Sequence, residues 1–534
     1  MSETADVVVA GAGHNALIAA AYLAKAGYRC TVLDARSVPG GGAATEELLG
    51  PGYKLDTCST GHTLIRTNPL LLDDELGLHR DFGLEYVDPD PVAHVALPDG
   101  EHFTMWLDLD RTCDEFARFS RRDADAYRRM IREYDEVKAA FGTSRFNPPG
   151  RVPPLPQLLA GLPGGSRWAR RSTMSAWDVV RHEFEDRHSQ AFMLWQAYQT
   201  AQAVDLPGSG PLAYSIVFGR QQRSWSIPLG GSGSLTDALV RLLEEHGAEI
   251  HCGKRVRSLV LEGGRCVGVE TEDGERYLAT QAVLSTIHVR HLVDMAPKEA
   301  WGDDFVYGVE TYDLGTPGFA VYMATTEPPV WDTPDGGRTA VSAGTVGWPE
   351  DVVRGGRDVR DGRFIPDVPW LLVATPTLVD RSRAPDGHHT VKLLSMQAAL
   401  PPEGRTWDEE KEAHADRELA LVQRFCSNFT DDVILSRLVK SPEDIERTNP
   451  HMIAGTFHGG DRGIGQSGAA RPVPGWGSYR MPIPGLYQTG GTTHPGGSIT
   501  GAPGRNAASI LLEDLGTSLE EVVGVAGRAR AGSH

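Results

Sequence analysis

Two glycines near the start of the chain have the type and spacing that a phosphate-binding turn requires. Gly11 and Gly13 follow an apolar run, Asp6–Ala10, and precede an Ala-rich stretch typical of a helix. Glycine at both positions lets the backbone approach a pyrophosphate, and Ala16 at the third position of the pattern still allows close helix–strand packing. The helix offers its N-terminal N–H groups to the anion. The pattern predicts a dinucleotide-binding turn.

An acidic residue ends the next apolar run. Cys30–Asp34 has the composition of a second strand, and its last residue falls about 20 positions after the turn, where a carboxylate accepts hydrogen bonds from a ribose. A 2′-phosphate would be repelled there, which favours an unphosphorylated adenosine. A glycine cluster, Gly40–Thr45, follows. Strand, turn, helix, strand and acid therefore occur in the order of a nucleotide-binding βαβ unit.

A second glycine-rich segment lies near the C-terminus. Leu486–Thr489 has the composition of a strand and precedes Gly490, Gly491 and a loop that contains His494. We expect a helix to begin at about Ile499, with its N–H groups and positive dipole end facing a reduced flavin ring, which carries negative charge. The alternative is a structural loop that caps the sheet. Together with the N-terminal turn, the pattern favours a flavin site.

Length and charge limit the remaining classes of function. A chain of 534 residues exceeds the size of one hydrophobic core, so two or more subdomains are expected. A net charge of −19 argues against binding to nucleic acid or to anionic lipid. No stretch approaches the roughly 20 apolar residues of a membrane span, and no basic signal-peptide region is visible. We therefore expect a cytoplasmic protein, with peripheral membrane contact through an apolar patch left open.

The six cysteines are scattered and include no C-x-x-C pair. This spacing argues against a dithiol redox centre and against a cysteine-rich zinc site, so no metal is expected.

The pattern of elements predicts an insertion architecture. We expect a nucleotide-binding domain built from residues 1–75, 221–300 and 471–534, interrupted by a substrate domain built from residues 76–220 and 301–470. The first substrate segment has a helical composition, and an aromatic stripe between His182 and Ala203 indicates either helix packing or a tunnel wall. The second has the short loops of an antiparallel sheet, followed by a long helix over Trp407–Phe429.

Several motifs together resemble the phytoene desaturase-type flavoproteins, in particular the phytoene dehydrogenase-related, or pyridine nucleotide-disulfide oxidoreductase domain protein 2-like, members. They are the N-terminal glycine turn, Gly40–Thr45, Pro51–Asp56, Pro228–Leu235 and the Thr493–Gly497 segment. The similarity spans nearly the whole chain and is weakest between Asp90 and Gly210. It implies an α/β fold: a Rossmann-like FAD-binding domain of the flavin monooxygenase/amine-oxidase type, with an inserted mixed α+β substrate domain and noncovalently bound FAD.

The resemblance also implies which residues contact FAD. They are Gly11, Gly13, His14, Asn15 and Ala16 at the pyrophosphate, Asp34, Ala35 and Arg36 at the adenosine, Gly41, Gly42 and Ala43 along the ribityl and phosphate path, Val256 at the adenine end, and Gly490, Gly491, Ile499 and Thr500 beside the flavin. Many relatives carry Arg in the glycine cluster where this chain has Ala43. Backbone amides or Arg36 would have to replace that contact.

FAD without redox cysteines suits hydride abstraction from carbon. His494 is the candidate catalytic residue, because the surrounding glycines would let it approach the ring; its alternative role is a loop histidine bonded to backbone. Asp56 is expected to be mainly structural. His62, His458 and Arg505 are weaker candidates.

Three functions remain open. The first is desaturation of a C–C bond in an apolar or conjugated, isoprenoid- or carotenoid-like substrate, supported by the resemblance and by aromatic residues of the substrate domain: Trp195, Tyr198, Tyr214, Phe218, Trp225 and Tyr322. The second is C–N or C–O oxidation of a small metabolite with O₂. The third is a non-oxidising flavoprotein, either a polyene isomerase or an interaction protein. No second nicotinamide-type glycine motif is visible, so O₂ or a quinone is the expected electron acceptor.

Overall fold

Two seven-stranded sheets organise the part of the chain that this computed structural model describes, residues 3–524. The first two residues of the range 1–75 and residues 525–534 of the range 471–534 therefore lie outside the described part. The strands are β1 Glu3–Ala10, β2 Cys30–Asp34, β3 Thr45–Glu46, β4 Leu55–Asp56, β5 Tyr86–Val87, β6 Ala93–Ala96, β7 His102–Met105, β8 Ile227–Pro228, β9 Glu249–Cys252, β10 Val256–Glu262, β11 Arg265–Thr271, β12 Arg276–Ser285, β13 Gly318–Thr325, β14 Ser342–Val346, β15 Trp370–Ala374, β16 His389–Met396, β17 Ile434–Lys440 and β18 Leu486–Gln488.

Helices cover the faces and edges of these sheets. They are α1 His14–Lys25, α2 Pro69–Leu72, α3 Leu109–Ala117, α4 Arg121–Arg145, α5 Leu155–Ala160, α6 Gly165–Thr173, α7 Ala176–Glu183, α8 Arg187–Tyr198, α9 Leu212–Arg223, α10 Gly233–Glu245, α11 Val289–Leu292, α12 Lys298–Trp301, α13 Asp303–Glu310, α14 Pro349–Arg360, α15 Trp407–Gln423, α16 Pro442–Thr448 and α17 Ala502–Asp514. Among residues 3–524, no helix has the length and apolar composition that crossing a bilayer requires.

The first sheet is the predicted nucleotide-binding sheet. Its strands lie in the order β10-β11-β12-β1-β2-β9, and β18 pairs with β12. The pairs β12–β1, β1–β2, β2–β9 and β12–β18 are parallel, whereas β10–β11 and β11–β12 are antiparallel. Helices α1, α10 and α17 share one hydrophobic cluster with these strands. Because both faces are covered, the strand residues Val7–Val9 are completely buried, as expected for a parallel sheet.

The second sheet is mainly antiparallel and has the order β17-β13-β16-β15-β14-β6-β7. The sequence predicts strands over Phe319–Thr325, Trp370–Val379 and Thr390–Ala399, which correspond to β13, β15 and β16, although β15 ends earlier at Ala374 and β16 at Met396. Strands β6 and β7 were missed, and β6 pairs with β14 in parallel, so the segment expected to be helical also contributes to this sheet. The fold is thus the predicted combination of a Rossmann-like sheet with a second, mixed α/β layer.

Three predicted helix boundaries are wrong. The stripe between His182 and Ala203 divides into α7 and α8, because the chain extends at Phe184 and the Asp186 side chain caps the second helix by accepting from the His188 N–H. Helix α15 ends at Gln423 rather than at Phe429. The C-terminal helix begins at Ala502 rather than at Ile499, after Gly501 in a left-handed conformation.

Candidate active site

A continuous cavity, here called the main cavity, extends from the glycine turn after β1 to the second sheet. Its lining includes Gly11 and Asp34 at one end and Leu372 and Leu394 of the second sheet at the other. The carboxyl ends of β1 and β2 face this space, which is where doubly wound sheets bind ligands. The topology therefore places the predicted nucleotide site and the second sheet around one cavity.

The N-terminal turn has no room for a side chain at Gly11. Gly11 has φ +101°, and a Cβ built on it would lie 2.3 Å from Thr286 Oγ1. A Cβ on Gly41 would lie 3.1 Å from the Gly13 Cα atom, so the two glycine segments touch through their backbones. A Cβ on Gly13 would meet nothing within 4 Å, and no side chain caps α1, which begins immediately after it. This arrangement leaves the helix N-terminus open to a phosphate.

Asp34 is held by the backbone of the same turn. Its Oδ2 accepts from the Ala12 N–H at 2.6 Å and its Oδ1 from the Arg36 N–H at 2.8 Å. Burial raises the pKa of this carboxyl, and the two backbone N–H groups act in the opposite direction. Ala35 and Arg36 line the main cavity beside it, together with Val256. The predicted adenosine contacts are therefore brought together in space.

Two basic residues at this end were missed by the sequence analysis. Lys254 and Arg255 directly precede Val256 and line the same part of the main cavity. The backbone N–H of Lys254 donates to the backbone carbonyl of Asp34 at 2.7 Å, which joins the segment before β10 to the end of β2. A basic pair directly before a predicted backbone contact could have indicated this position.

The C-terminal glycine loop forms the opposite wall of the cavity. Gly490, Gly491 and Ile499 line it, and Gly497 and Ser498 do so as well although they were not predicted. A Cβ on Gly497 would lie 2.4 Å from the His458 carbonyl oxygen, so this position requires glycine.

Arg471 holds the glycine loop in place from behind. Its side chain is buried, with Nε donating to the Gly491 carbonyl at 3.0 Å and Nη2 donating to the Gly459 carbonyl at 2.9 Å. A single arginine in an irregular segment gave no sequence signal for this role.

The remaining predicted cofactor residues divide into three that line the main cavity and three that do not. His14, Asn15 and Gly42 line it. Ala16 is buried in the hydrophobic core under α1, and the Ala43 carbonyl accepts from Thr236 Oγ1. Thr500 faces a second, smaller cavity and its carbonyl accepts from Asn68 Nδ2.

His494 also faces the second cavity. Its Nε2 lies 2.8 Å from the Ser144 carbonyl, and its own carbonyl accepts from the Tyr479 hydroxyl at 2.6 Å. Burial lowers the pKa of His494 to about 4, so the ring is neutral near pH 7. The structure thus gives the predicted catalytic histidine backbone contacts away from the main cavity.

The weaker candidates are mostly structural. His62 is buried between Ser232 Oγ at 2.6 Å and the Tyr86 hydroxyl at 3.0 Å. Arg505 pairs with Glu75 at 2.7 Å. Asp56 forms a buried ion pair with Arg383 at 2.8 Å.

Neutral histidines line the middle of the main cavity. They are His288, His451 and His458. Burial lowers the pKa of each, that of His451 to about 4. Across residues 3–524, no cluster of His, Cys, Asp and Glu has an arrangement that could hold a metal ion. These rings therefore contribute neutral hydrogen-bonding surface near neutral pH.

The far end of the main cavity, here called the chamber, is mostly apolar. Its lining includes Ile216, Trp225, Leu372, Ala374 and Leu394. Of the six aromatic residues proposed for a substrate domain, Trp225 lines it, whereas Trp195 and Tyr198 are core residues. The Trp195 indole donates to the Leu371 carbonyl at 3.1 Å, which fixes α8 on the second sheet.

Two buried cations in the chamber were not predicted. Arg220 of α9 and Lys392 of β16 both line it. Lys392 Nζ donates to the carbonyls of Asp56 and Cys58, and burial lowers the pKa of the ammonium group. Each is a basic residue in an otherwise ordinary helix or strand, so the sequence contained no signal for its role.

The residues around the cavity fit FAD. A Cβ at Gly11 would fill the glycine turn, and Asp34 provides an acid at the position expected for a ribose contact. The same cavity continues past Gly490 and is lined by residues of both sheets. This combination defines an FAD-dependent oxidoreductase. Residues 17–511 match the flavin containing amine oxidoreductase family, and the chain belongs to that family.

Individual relatives agree with this class. The chain is 30% identical to mouse pyridine nucleotide-disulfide oxidoreductase domain-containing protein 2, over 96% of this chain and 94% of the mouse protein. It is 26% identical to the lycopene-forming phytoene desaturase of Pantoea ananas, over 95% of this chain and 99% of the relative. The fold is similar to that of cyclohexylamine oxidase from Brevibacterium oxydans, with a TM-score of 0.57, 14% identity and coverage of 96% and 99% of the two chains. The resemblance read from the motifs is confirmed.

Proposed function

We propose that the protein desaturates a C–C bond next to an apolar or conjugated system in an isoprenoid- or carotenoid-like molecule. The observation that carries this proposal is the continuity of the main cavity, which joins the dinucleotide cradle to an apolar chamber. When bound, FAD supplies a hydride acceptor. A substrate in the chamber would share the cavity with the flavin end of the cofactor.

The chain's own residues would hold the cofactor from both ends. Backbone groups of the N-terminal turn would bind the pyrophosphate, the Asp34 carboxylate the ribose, and the two glycine segments the remaining length; the lining residues concerned are Gly11, Gly13, His14, Asn15, Asp34, Ala35, Arg36, Gly41, Gly42, Val256, Gly490, Gly491 and Ile499. These residues line one continuous cavity, which supports the binding of an extended dinucleotide without a covalent bond.

Lys392 is the residue best placed to handle the proton. Desaturation removes a hydride from one carbon and a proton from its neighbour, so a proton acceptor is needed. Lys392 Nζ donates two N–H groups to the Asp56 and Cys58 carbonyls. In the neutral amine the lone pair of the nitrogen is then left for a group in the chamber, which Lys392 lines. Because burial lowers its pKa, the neutral amine forms more readily than at the surface. We propose that this nitrogen, directly or through water, receives the proton.

The charge of the chamber bears on the alternative oxidations. Among the described residues that line the main cavity, one is acidic: Asp34, at the nucleotide end. Two basic residues, Arg220 and Lys392, line the chamber. A protonated amine would find two cations and no carboxylate, so C–N oxidation is disfavoured. The same polar groups can anchor a hydroxyl, which keeps C–O oxidation as the second candidate. O₂ or a quinone remains the proposed electron acceptor.

The name of the Pantoea ananas relative also supports desaturation, because that protein is a phytoene desaturase. The similarity extends over nearly the full length of both chains, so the substrate end of the cavity is included. The proposal extends that chemistry to an apolar substrate of this chain.

Anaerobic reduction of the flavin tests the proposal. Oxidised, FAD-loaded protein would be mixed with linear isoprenoid hydrocarbons, with their alcohols and with matched amines, and the loss of the flavin absorbance band would be followed. We expect bleaching by the hydrocarbons, with a new double bond in the product by mass spectrometry. Bleaching by alcohols alone would establish the C–O alternative. A stable flavin band with every class, together with isomerised product, would establish a non-oxidative role.

A further inference from the structure

Arg220 is a buried cation whose neighbours do not neutralise it. It lies on α9, one turn after Ile216, is 2% exposed, and lines the chamber of the main cavity. Its Nη1 donates to the Gln196 amide oxygen and its Nη2 to the Gln199 amide oxygen. Its Nε is buried without a hydrogen-bond partner. The hydrogen bonds found across residues 3–524 therefore give this guanidinium neutral amide acceptors and no carboxylate.

Among the described residues, two other buried arginines pair with carboxylates, and a third, Arg471, donates to several backbone carbonyls. Arg383 pairs with Asp56 at 2.8 Å. Arg171 pairs with Glu133 at 3.0 Å and with Glu183 at 2.5 Å. Arg220 lacks such a partner, and burial alone lowers its pKa to about 9. An uncompensated buried charge is strongly unfavourable, so an anionic ligand in the chamber would be stabilised by Arg220.

The surroundings restrict what that ligand can be. The lining of the chamber that contains Arg220 includes the apolar side chains of Ile216, Trp225, Leu372 and Leu394, and the Gln199 amide accepts from the guanidinium. Lys392 also faces the chamber, but two backbone carbonyls already accept from its ammonium group. Arg220 is thus a planar donor group, oriented by two glutamines and set in an apolar wall. A guanidinium in this setting binds a carboxylate through paired hydrogen bonds.

We propose that Arg220 binds the carboxylate of the substrate, so that the natural substrate is an apolar acid with a long or cyclic hydrocarbon body. This inference rests on the proposed function, whose substrate class it names. The carboxylate fixes one end of the molecule at α9, and the hydrocarbon body extends along the apolar lining toward Lys392 and the flavin end of the cavity. The position of the oxidised bond is then set by its distance from the carboxylate.

A matched pair of ligands tests the inference directly. FAD-loaded protein would be titrated with farnesoic acid and with methyl farnesoate, which share one hydrocarbon body and differ in charge. Binding would be followed by perturbation of the flavin band and by tryptophan fluorescence, since Trp225 lines the chamber. We expect the acid to bind at least about tenfold more tightly than the ester. Arg220→Met should remove this preference by weakening binding of the acid, and Arg220→Lys should retain part of it.

The control is Arg181→Gln, because Arg181 is an exposed arginine of the neighbouring helix α7 and pairs with Asp178. Equal affinity for acid and ester, binding of neither, or an acid preference that survives Arg220→Met would overturn the inference. The acid–ester comparison in the unmodified protein decides the case even where Arg220→Met does not fold.

Anaerobic bleaching in the same samples separates the two proposals. If the ester and the acid reduce the flavin and bind equally, the proposed desaturation stands and the role of Arg220 is wrong. If the acid binds through Arg220 and neither compound nor any member of the larger panel reduces the flavin, the role of Arg220 stands and the proposed reaction is wrong.

Discussion

Gly13 is a residue at which a side chain would compete with the cofactor for space if FAD binds as we propose. It lines the main cavity, its backbone conformation suits any residue, and a Cβ there would meet no protein atom within 4 Å. Gly13→Ala should therefore cost less than about 1 kcal/mol of unfolding free energy. It should weaken FAD binding at least about tenfold, because the methyl group would enter the pyrophosphate path. Titration of apoprotein with FAD, followed by flavin fluorescence, measures this change.

The matched control for this substitution is Gly142→Ala. Gly142 lies within α4, and its Cβ would also meet nothing within 4 Å. The change should leave FAD affinity unaltered and raise stability by up to about 1 kcal/mol, since alanine is the better helix former. Unchanged FAD affinity in Gly13→Ala would show that the cofactor does not approach this turn.

Lys392 allows a second test at the scale of one residue. Lys392→Met keeps the length of the side chain and removes the nitrogen that we propose receives the proton. The rate of flavin reduction at saturating substrate should fall about 100-fold, because general acid–base contributions have that size. The two carbonyls left without their donor should also lower stability by about 1–3 kcal/mol each. Stopped-flow reduction and urea unfolding separate the two effects.

Lys440→Met provides the comparison. Lys392 and Lys440 lie 5.4 Å and 5.7 Å from the Tyr322 ring centroid, and both are buried. Strand β13 lies between β16, which carries Lys392, and β17, which carries Lys440. Lys392 is on the lining of the main cavity, whereas Lys440 is not. Equal losses of rate in the two variants would contradict a specific role for Lys392.

At the scale of elements, strand β16 presents alternate residues to two environments. Leu394 lines the chamber, while Leu393 is completely buried in the cluster on the opposite face. Leu394→Phe should fill part of the chamber and raise KM for an apolar substrate about tenfold, with FAD content unchanged. Leu435→Phe, at a 48% exposed position, is the control. An unchanged KM in Leu394→Phe would place the substrate elsewhere.

The ion pair between Asp56 and Arg383 connects the glycine-rich N-terminal segment to the second sheet's loops. Both side chains are 1% exposed, and Asp56 Oδ1 also accepts from the Ser232 N–H at 2.8 Å. Burial raises the pKa of Asp56, but the charge of Arg383 and the hydrogen bonds outweigh it, so the net pKa is lowered.

Asp56→Asn should lower the unfolding free energy by about 3–5 kcal/mol, because it leaves a buried guanidinium unpaired. Asp135→Asn, which removes an exposed pair with Lys138, should cost less than about 1 kcal/mol. Urea titrations of the two variants measure the difference. Similar small losses in both would show that Arg383 finds compensation elsewhere.

At the scale of the whole molecule, buried histidines make the fold sensitive to acid. Burial lowers the pKa of His14, His451 and His494 to about 4 and that of His62 and His94 to about 3. The unfolded chain binds these protons near pH 6.5, whereas the folded chain does not until the lower values are reached. The contribution of these histidines to the unfolding free energy is therefore fully present above pH 6.5 and is lost as the pH decreases toward 4.

His62→Gln tests this origin of acid sensitivity. His62 is outside the lining of the main cavity, and an amide can replace its bonds to Ser232 and Tyr86. Removing one such histidine should reduce the slope of stability against pH by about 1.4 kcal/mol per pH unit between pH 6 and pH 4.5. Unfolding with saturating FAD at each pH measures both slopes. An identical slope would assign the acid sensitivity to other groups.

The parts of the molecule that the sequence predicts well are those in which backbone geometry restricts the residue type. The turn at Gly11 and Gly13 and the acid at Asp34 belong to this group. The start of α17 also carries a sequence signal, because Pro503 lies in its first turn after left-handed Gly501. Arg220, Lys392 and Arg471 carry no such restriction. Their roles depend on which distant backbone or side chain packs beside them, and that is decided by tertiary structure.

Strand β18 means that the two walls of the proposed cofactor site are synthesised at opposite ends of translation. It joins the first sheet beside β12 and leads into Gly490 and Gly491, so one wall of the cradle comes from the last tenth of the chain. A nascent chain that has displayed the N-terminal turn since its first residues still cannot enclose a dinucleotide. If FAD binds as proposed, its enclosure requires this late segment to have left the ribosome, and a chain that stops before Leu486 would carry the recognisable motif without a complete site.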